Sequence, residues 1–180
     1  DLQDESSYDQ RRTGGALRMG YPLSENWRQS WKYKFESNDI RNVESDASRF
    51  IKDQEGTRAT SAVSQKLTYD TRDSVMFPSE GLQSWLDIEA AGLGGDAKYV
   101  SGDIGSNYFI PFFQKKVVLN ILGETGAITG ISDEDVKINE RYMLGGNNLR
   151  GFQKGGIGPR DTTTDDALGG NYYYRGSVEL

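Results

Sequence analysis

The 180-residue chain contains no cysteine and no histidine. The first absence removes disulfides and thiolate metal sites; the second removes the commonest general base and metal ligand. An excess of positive charge is missing too: Lys+Arg 21 against Asp+Glu 27 gives a net charge of -6, which leaves no basic footprint for nucleic acid. No apolar run approaches the roughly 20 residues of a membrane helix. That last absence is silent about membrane strands, whose alternating pattern gives a much weaker hydropathy signal.

Alternation with period two runs through most of the chain. It begins in a segment from about Arg12 to Tyr21, where Leu17, Met19 and Tyr21 oppose Ala16, Arg18 and Gly20, and Pro22 ends it. In the next, Trp27 to Glu36, the residues Trp27, Trp31, Tyr33 and Phe35 alternate with Arg28, Ser30, Lys32, Lys34 and Glu36. A half-solvated sheet in water alternates likewise. The aromatic weight of this one favours lipid, because Trp and Tyr concentrate at membrane interfaces. Further strands are expected over Thr60–Asp70, Leu82–Gly92, Val100–Ile110 with Pro111 breaking it, and Val117–Ile121, and the last begins near Asn171. On that last strand Tyr172, Tyr174, Val178 and Leu180 oppose Tyr173, Arg175, Ser177 and Glu179. These readings place Leu17, Met19, Trp31, Tyr33, Phe35, Leu86, Ile88, Val117, Leu119, Ile121, Tyr174 and Val178 on a lipid-facing side.

Between the strands, Asp1–Gln10 is expected to be a loop end. Residues 43–55, stopped by Gly56, are expected to form a short loop helix lying on neighbouring loops, with Val43, Ala47, Phe50, Ile51 and Gln54 on one side. Arg72 and Asp73 read as a solvated turn pair. Asp133-Glu134-Asp135 lacks the glycine and spaced ligands of an EF-hand and reads as a solvated loop, as does Asp165-Asp166. Gly123–Leu144 loses the alternation and is assigned to the start of a long loop, 124–170, that carries a glycine-rich stretch from Gly145 to Asp161. Its glycines let the backbone turn tightly while Arg150 stands between bulky apolar neighbours. The stretch lacks the Gly-Lys-Ser/Thr ending of a nucleotide loop and the strand-to-helix setting of a dinucleotide fingerprint.

Four blocks of that loop, in order, carry a family resemblance. Gly145-Gly146, Leu149-Arg150-Gly151-Phe152, Ile157-Gly158-Pro159-Arg160-Asp161 and Asp165-Asp166-Ala167-Leu168-Gly169-Gly170-Asn171 resemble loop six of the BamA family, the outer-membrane insertases of the β-barrel assembly machinery. Tyr69, Asp73, Pro78 and Gly81 are similar to that family's periplasmic turn. The resemblance implies an all-β fold: an antiparallel transmembrane β-barrel fragment spanning residues 1–180, with about seven strands of an expected sixteen, matching strands six to twelve. It implies that Arg150 reaches into the lumen and pairs with inner-wall acids, with Glu179 at the matching glutamate position, and that 147–161 is buried and ordered there. It implies no POTRA domain in this segment, and Asp1 at one end with a strand pattern running to Leu180 at the other marks a piece of a longer chain.

The implied function is an insertase of the bacterial outer membrane that does no bond-making chemistry and needs no cofactor or metal. Its partners would be outer-membrane lipids, unfolded outer-membrane protein clients and, through other regions, accessory assembly lipoproteins. Two alternatives stand beside it: a translocation barrel of the same superfamily, of TamA or two-partner secretion type, and a passive porin.

Overall fold

A computed structural model of the chain describes every residue except Asp1, Ser6, Ser7, Asp46, Asp133 and Lys154, and for 2–5 and 8 the strand path alone. The expectations for Asp133 therefore lie outside the described residues. The chain forms an antiparallel meander in which each strand pairs with the next: β1 (Leu2–Glu5), β2 (Tyr8–Pro22), β3 (Trp27–Arg41), β4 (Gly56–Asp70), β5 (Gly81–Ala91), β6 (Tyr99–Phe112), β7 (Val117–Gly130) and β8 (Tyr172–Glu179). The seven long strands are those the alternation predicts, and β1 adds a four-residue strand ahead of them.

Several boundaries differ from the sequence reading. Residues 2–5 and 8–10 are strand and not loop end. β6 continues through Pro111, which pairs with Val118 of β7. The β5 ladder stops at Gly81↔Phe109, so on that side Pro111 sits at a local edge, where a missing N–H interrupts no ladder. β7 runs on to Gly130, and the long connection spans 131–171, not 124–170. The helix expected over 43–55 is one turn, α1 (Arg49–Lys52). Its Ser48 N-cap accepts from the Phe50 amide at 3.3 Å. Ala47 and Ile51 are buried as expected, but Phe50 stays outside under the Arg49 guanidinium.

The register fixes two faces. Leu17 sits opposite Tyr33 and Met19 opposite Trp31, Leu67 meets Leu86 and then Ile104, and Ile121 meets Val178, so apolar residues form cross-strand rows on one outer face. All twelve residues expected on that face lie on it. The opposite, inner face is ionic and internally paired. Lys34 reaches Glu89 at 2.7 Å, and Glu89 also accepts from the Tyr99 hydroxyl and the Ser64 hydroxyl, each at 2.7 Å. Together with Arg18, Lys32, Asp87 and Asp103 these groups line a polar cavity of about 600 Å³. Near the long connections the inner face turns apolar: Ala62, Ala91, Ala97, Tyr99, Ile128 and Val136 are buried together, with Tyr142 packed on them. That patch needs cover, and the 131–171 connection provides it.

Candidate functional site

The connection leaves β7 by folding straight back. A Cβ on Gly130 would lie 1.6 Å from the Glu134 carbonyl oxygen, so only glycine permits this reversal. The returning segment drops Val136 and Ile138 into the core of the inner face. Arg58 of β4 clamps it with two ion pairs, Nη2 to Glu134 at 2.7 Å and Nε to Glu140 at 3.0 Å. Glu134, expected to be a solvated acid, is thus a tether. Tyr142 follows, bonded to Gly170 through both backbone groups at 3.0 and 2.9 Å. Its hydroxyl donates to Asp103 at 3.1 Å, and its ring tilts against Tyr173 with centroids 4.6 Å apart.

Past Tyr142 the two legs of the loop stay close, bridging at Leu144↔Ile157 and Arg160↔Ala167. Gly145 has φ 122, and a Cβ there would lie 1.9 Å from the Gln153 carbonyl oxygen. With the Gly146 amide donating to the Phe152 carbonyl at 2.6 Å, these two glycines close the turn that presents Leu149, Arg150 and Gly151. Arg150 Nη1 lies 3.8 Å from Glu179 Oε1, with the side chains 90% and 50% exposed. The expected pair is in reach but loose. Phe152 is 51% exposed and Leu149 half-buried, and the expected burial of 147–161 is not met at 147–148, 150–153 and 158–159. One sheet covers one side of the loop only.

A firmer hold lies two residues before the arginine. Arg175 of β8 donates from Nη1 to the Asn148 carbonyl, and its Nε sits 2.7 Å from Glu124 Oε1 of β7. Arg175 and Glu124 are register partners, so the wall supplies both halves of the anchor. At the far leg, Gly158 has φ 128, the Pro159 carbonyl accepts from the Leu168 amide at 2.9 Å, and Arg160 grips the Asp165 carbonyl at 2.6 Å. Asp161 caps its own turn by accepting from the Thr163 and Thr164 amides, and accepts the Ser48 hydroxyl at 2.6 Å. The Ser48 amide donates to Asp166 at 2.8 Å. The Ser48 hydrogen bond, with the Thr163 amide next, holds the Asp161 carboxyl below its ordinary range. So the segment before α1 does lie on a neighbouring loop, through a latch of two acceptors.

The second set of expected residues lies at the other end of the strands. Tyr69 packs against Trp27 with ring centroids 5.0 Å apart and the planes tilted by 48°. Asp73 accepts from the Ser79 hydroxyl and from the Ser79 and Glu80 amides at 2.8 and 3.2 Å, which depresses its pKa and wraps the chain around half-buried Pro78. Gly81 has φ 109, and a Cβ would lie 2.4 Å from the Thr71 carbonyl oxygen. Arg72 is not a solvated partner of Asp73: it forks onto Asp70 at 2.9 and 2.7 Å with its side chain 10% exposed. No group of three metal-ligating side chains comes together among the described residues.

The Omp85 superfamily domain matches residues 1–180. The chain belongs to that superfamily. It is 36% identical to the outer membrane protein assembly factor BamA of Neorickettsia risticii over 93% of this chain and 22% of the relative. A SAM50-like protein of Schizosaccharomyces pombe is 32% identical over 74% of this chain and 29% of its own length. The crystal structure of BamA from Haemophilus ducreyi lacking POTRA domains 1-3 shares the fold, with a TM-score of 0.79 at 23% identity over 95% of this chain and 37% of that one. The Omp85 chain therefore spans between about a fifth and two fifths of the relatives it matches.

Within this Omp85 chain, sequence reasoning missed Arg175, Glu124, Arg58, Tyr142 and Ser48. Register was the available signal for the first two: once β7 is extended past Ile121, Glu124 falls opposite Arg175.

Proposed function

We propose that this Omp85 chain is the loop-bearing wall of an insertase that folds and inserts β-barrel proteins into the bacterial outer membrane. The observation that carries the reading is the long connection laid back on the inner face, anchored by Arg58, Arg175 and Tyr142, with Arg150 held out toward Glu179. The outer face contacts lipid, the loop braces the lumen, and the wall disturbs the bilayer and offers its strands to unfolded clients. No step makes or breaks a covalent bond, so neither a cofactor nor a nucleotide enters. Accessory lipoproteins would act through regions beyond this chain. The bacterial assignment is supported by the 36% identity to a bacterial relative over 93% of this chain. A passive porin also folds a loop inward, but has no need for an arginine framed by glycines.

The test is reconstitution of the protein carrying this chain in vesicles, followed by addition of a urea-unfolded outer-membrane protein. Folding is read from heat-modifiable gel migration. The insertase reading expects faster folding than in protein-free vesicles. Equal rates, with ion conductance retained, would leave the porin reading standing instead.

A further inference from the structure

The apolar outer face stops differently at its two ends. On β2 to β4 it turns polar toward the long connections while still in strand: Phe35 is followed on that face by Ser37, Asp39 and Arg41, Leu17 is preceded by Thr13, Arg11 and Asp9, and Val63 by Ser61 and Thr57, whereas β5 and β6 stay apolar to Ala90 and Val100. Toward the short turns no such collar exists. Leu82 opens β5 on this face, Ile110 and Phe112 close β6, and Val117 opens β7. The turns then carry apolar residues of their own. Leu23 is exposed, Val75, Met76 and Phe77 are each 79% exposed, and Phe113 is 78% exposed. Turns bathed in water have no reason to concentrate such groups.

The turn holding Phe113 is also built against local preference. Phe113, Gln114 and Lys115 have φ of 50, 59 and 66, three successive non-glycine residues in the left-handed region. Lys115 ion-pairs with Asp73 at 3.2 Å and Glu80 at 3.0 Å, which ties the β6–β7 turn to the β4–β5 turn. The two turns thus form one platform that holds Phe113 and residues 75–77 outward.

We propose that this rim is a membrane-interface anchor: Leu23, Val75, Met76, Phe77 and Phe113 seat in the headgroup–acyl boundary of the leaflet at the short-turn end. The proposal rests on the barrel reading above. Continuity with the apolar wall selects lipid as the occupant. Thickness agrees. On β3 the run from Trp27 to Phe35 covers roughly 27 Å of strand and roughly 20 Å along the membrane normal at the usual tilt, short of the roughly 25 Å apolar band of such barrels. The turns supply the missing few ångströms, and Lys116 beside Phe113 extends its ammonium toward the phosphates.

Nitroxide labels on single cysteines test this. Positions 76 and 113 are the probes, Tyr33 mid-wall is the lipid reference, and Glu25, on the polar tip of the β2–β3 turn, is the water reference. The protein carrying this chain, with any cysteine outside it replaced, is folded in vesicles of phosphatidylethanolamine and phosphatidylglycerol, and collisions with oxygen and with a nickel chelate are measured. The anchor predicts severalfold more oxygen than nickel collisions at 76 and 113, close to position 33. Nickel access at 76 and 113 equal to that at 25, with 33 still in lipid, overturns the anchor and leaves the barrel reading intact. Exclusion of both reagents at 76 and 113 also overturns it, in favour of a protein domain covering the rim. Nickel access at 33 overturns the barrel reading itself.

Discussion

Two arginines hold the arginine-bearing turn to β7 and β8, and their contributions should differ severalfold. Arg150 is almost wholly exposed and lies 3.8 Å from Glu179. Water screens such pairs, and exposed ion pairs contribute about 0 to 1 kcal/mol. Arg175 and Glu124 have side chains only 24% and 14% exposed and meet at 2.7 Å. Removing Arg175 takes the cation away from a largely buried carboxylate and frees the Asn148 carbonyl. Breaking a fully buried pair costs about 3–5 kcal/mol, and a hydrogen bond to a charged group contributes about 1.5–3 kcal/mol. For this half-buried case we expect Arg175→Ala to cost about 3 kcal/mol and Arg150→Ala less than about 1 kcal/mol. The assay is two double-mutant cycles, Arg150→Ala with Glu179→Ala and Arg175→Ala with Glu124→Ala, read from denaturant unfolding of the protein carrying this chain in detergent micelles. The second cycle should show the larger coupling, about 2 kcal/mol, while the first stays below about 1 kcal/mol. Arg175→Lys keeps the charge beside Glu124 but loses the Nη1 hydrogen bond to the Asn148 carbonyl, so it should fall between wild type and Arg175→Ala. A larger coupling for Arg150 with Glu179 would refute the assignment of Arg175 as the main anchor.

Four further predictions follow from the geometry. Ser48→Ala removes the hydroxyl bond to Asp161, so trypsin should cut at Arg49 and Lys52 faster than in wild type; an unchanged rate would show the latch idle. Because the folded Asp161 pKa is depressed below its ordinary 3.8, the latch contributes stability above that value and loses it as pH falls through the folded pKa. Protease protection at α1 should accordingly survive pH 4 and disappear only in stronger acid. Gly145→Ala places a methyl against the Gln153 carbonyl and should loosen the arginine-bearing turn, seen as faster proteolysis at Arg150 with strand content by circular dichroism unchanged. For the faces, a water-confined maleimide should label cysteines at 32, 87 and 120 and spare those at 33, 88 and 119; equal labelling would refute the assignment.

The faces were legible because lipid on one side and ions on the other leave a period-two record in the residues themselves. That record fails where the two sides cease to differ. Asp9, Arg11, Ser37 and Asp39 lie on the polar margin of the outer face, where alternation no longer reports pairing. On β7 it fails because Gly123, Gly126 and Gly130 leave no side chain to read. A Cβ on Gly126 would lie 2.5 Å from Tyr173 Cε1, so a neighbour's ring occupies that glycine's space and the strand persists without a local signal. The loop motif was legible as a local pattern of glycines around Arg150. Its anchors were not, because each joins residues from different strands. Glu124 was hidden in a presumed loop, and Ser48 meets Asp161 and Asp166 across 113 and 118 residues.

That separation bears on the order in which the molecule assembles. Every ladder in the sheet joins neighbours in sequence, so the strands can add one hairpin at a time, each closing only a modest stretch of chain. Ser48 precedes its two carboxylate acceptors by more than a hundred residues. Until β8 pairs with β7, the segment bearing those acceptors is fixed at one end only. The latch therefore reports completion: a protease pulse during folding should find α1 accessible after the first hairpins are resistant, and closed only once the last strand has joined.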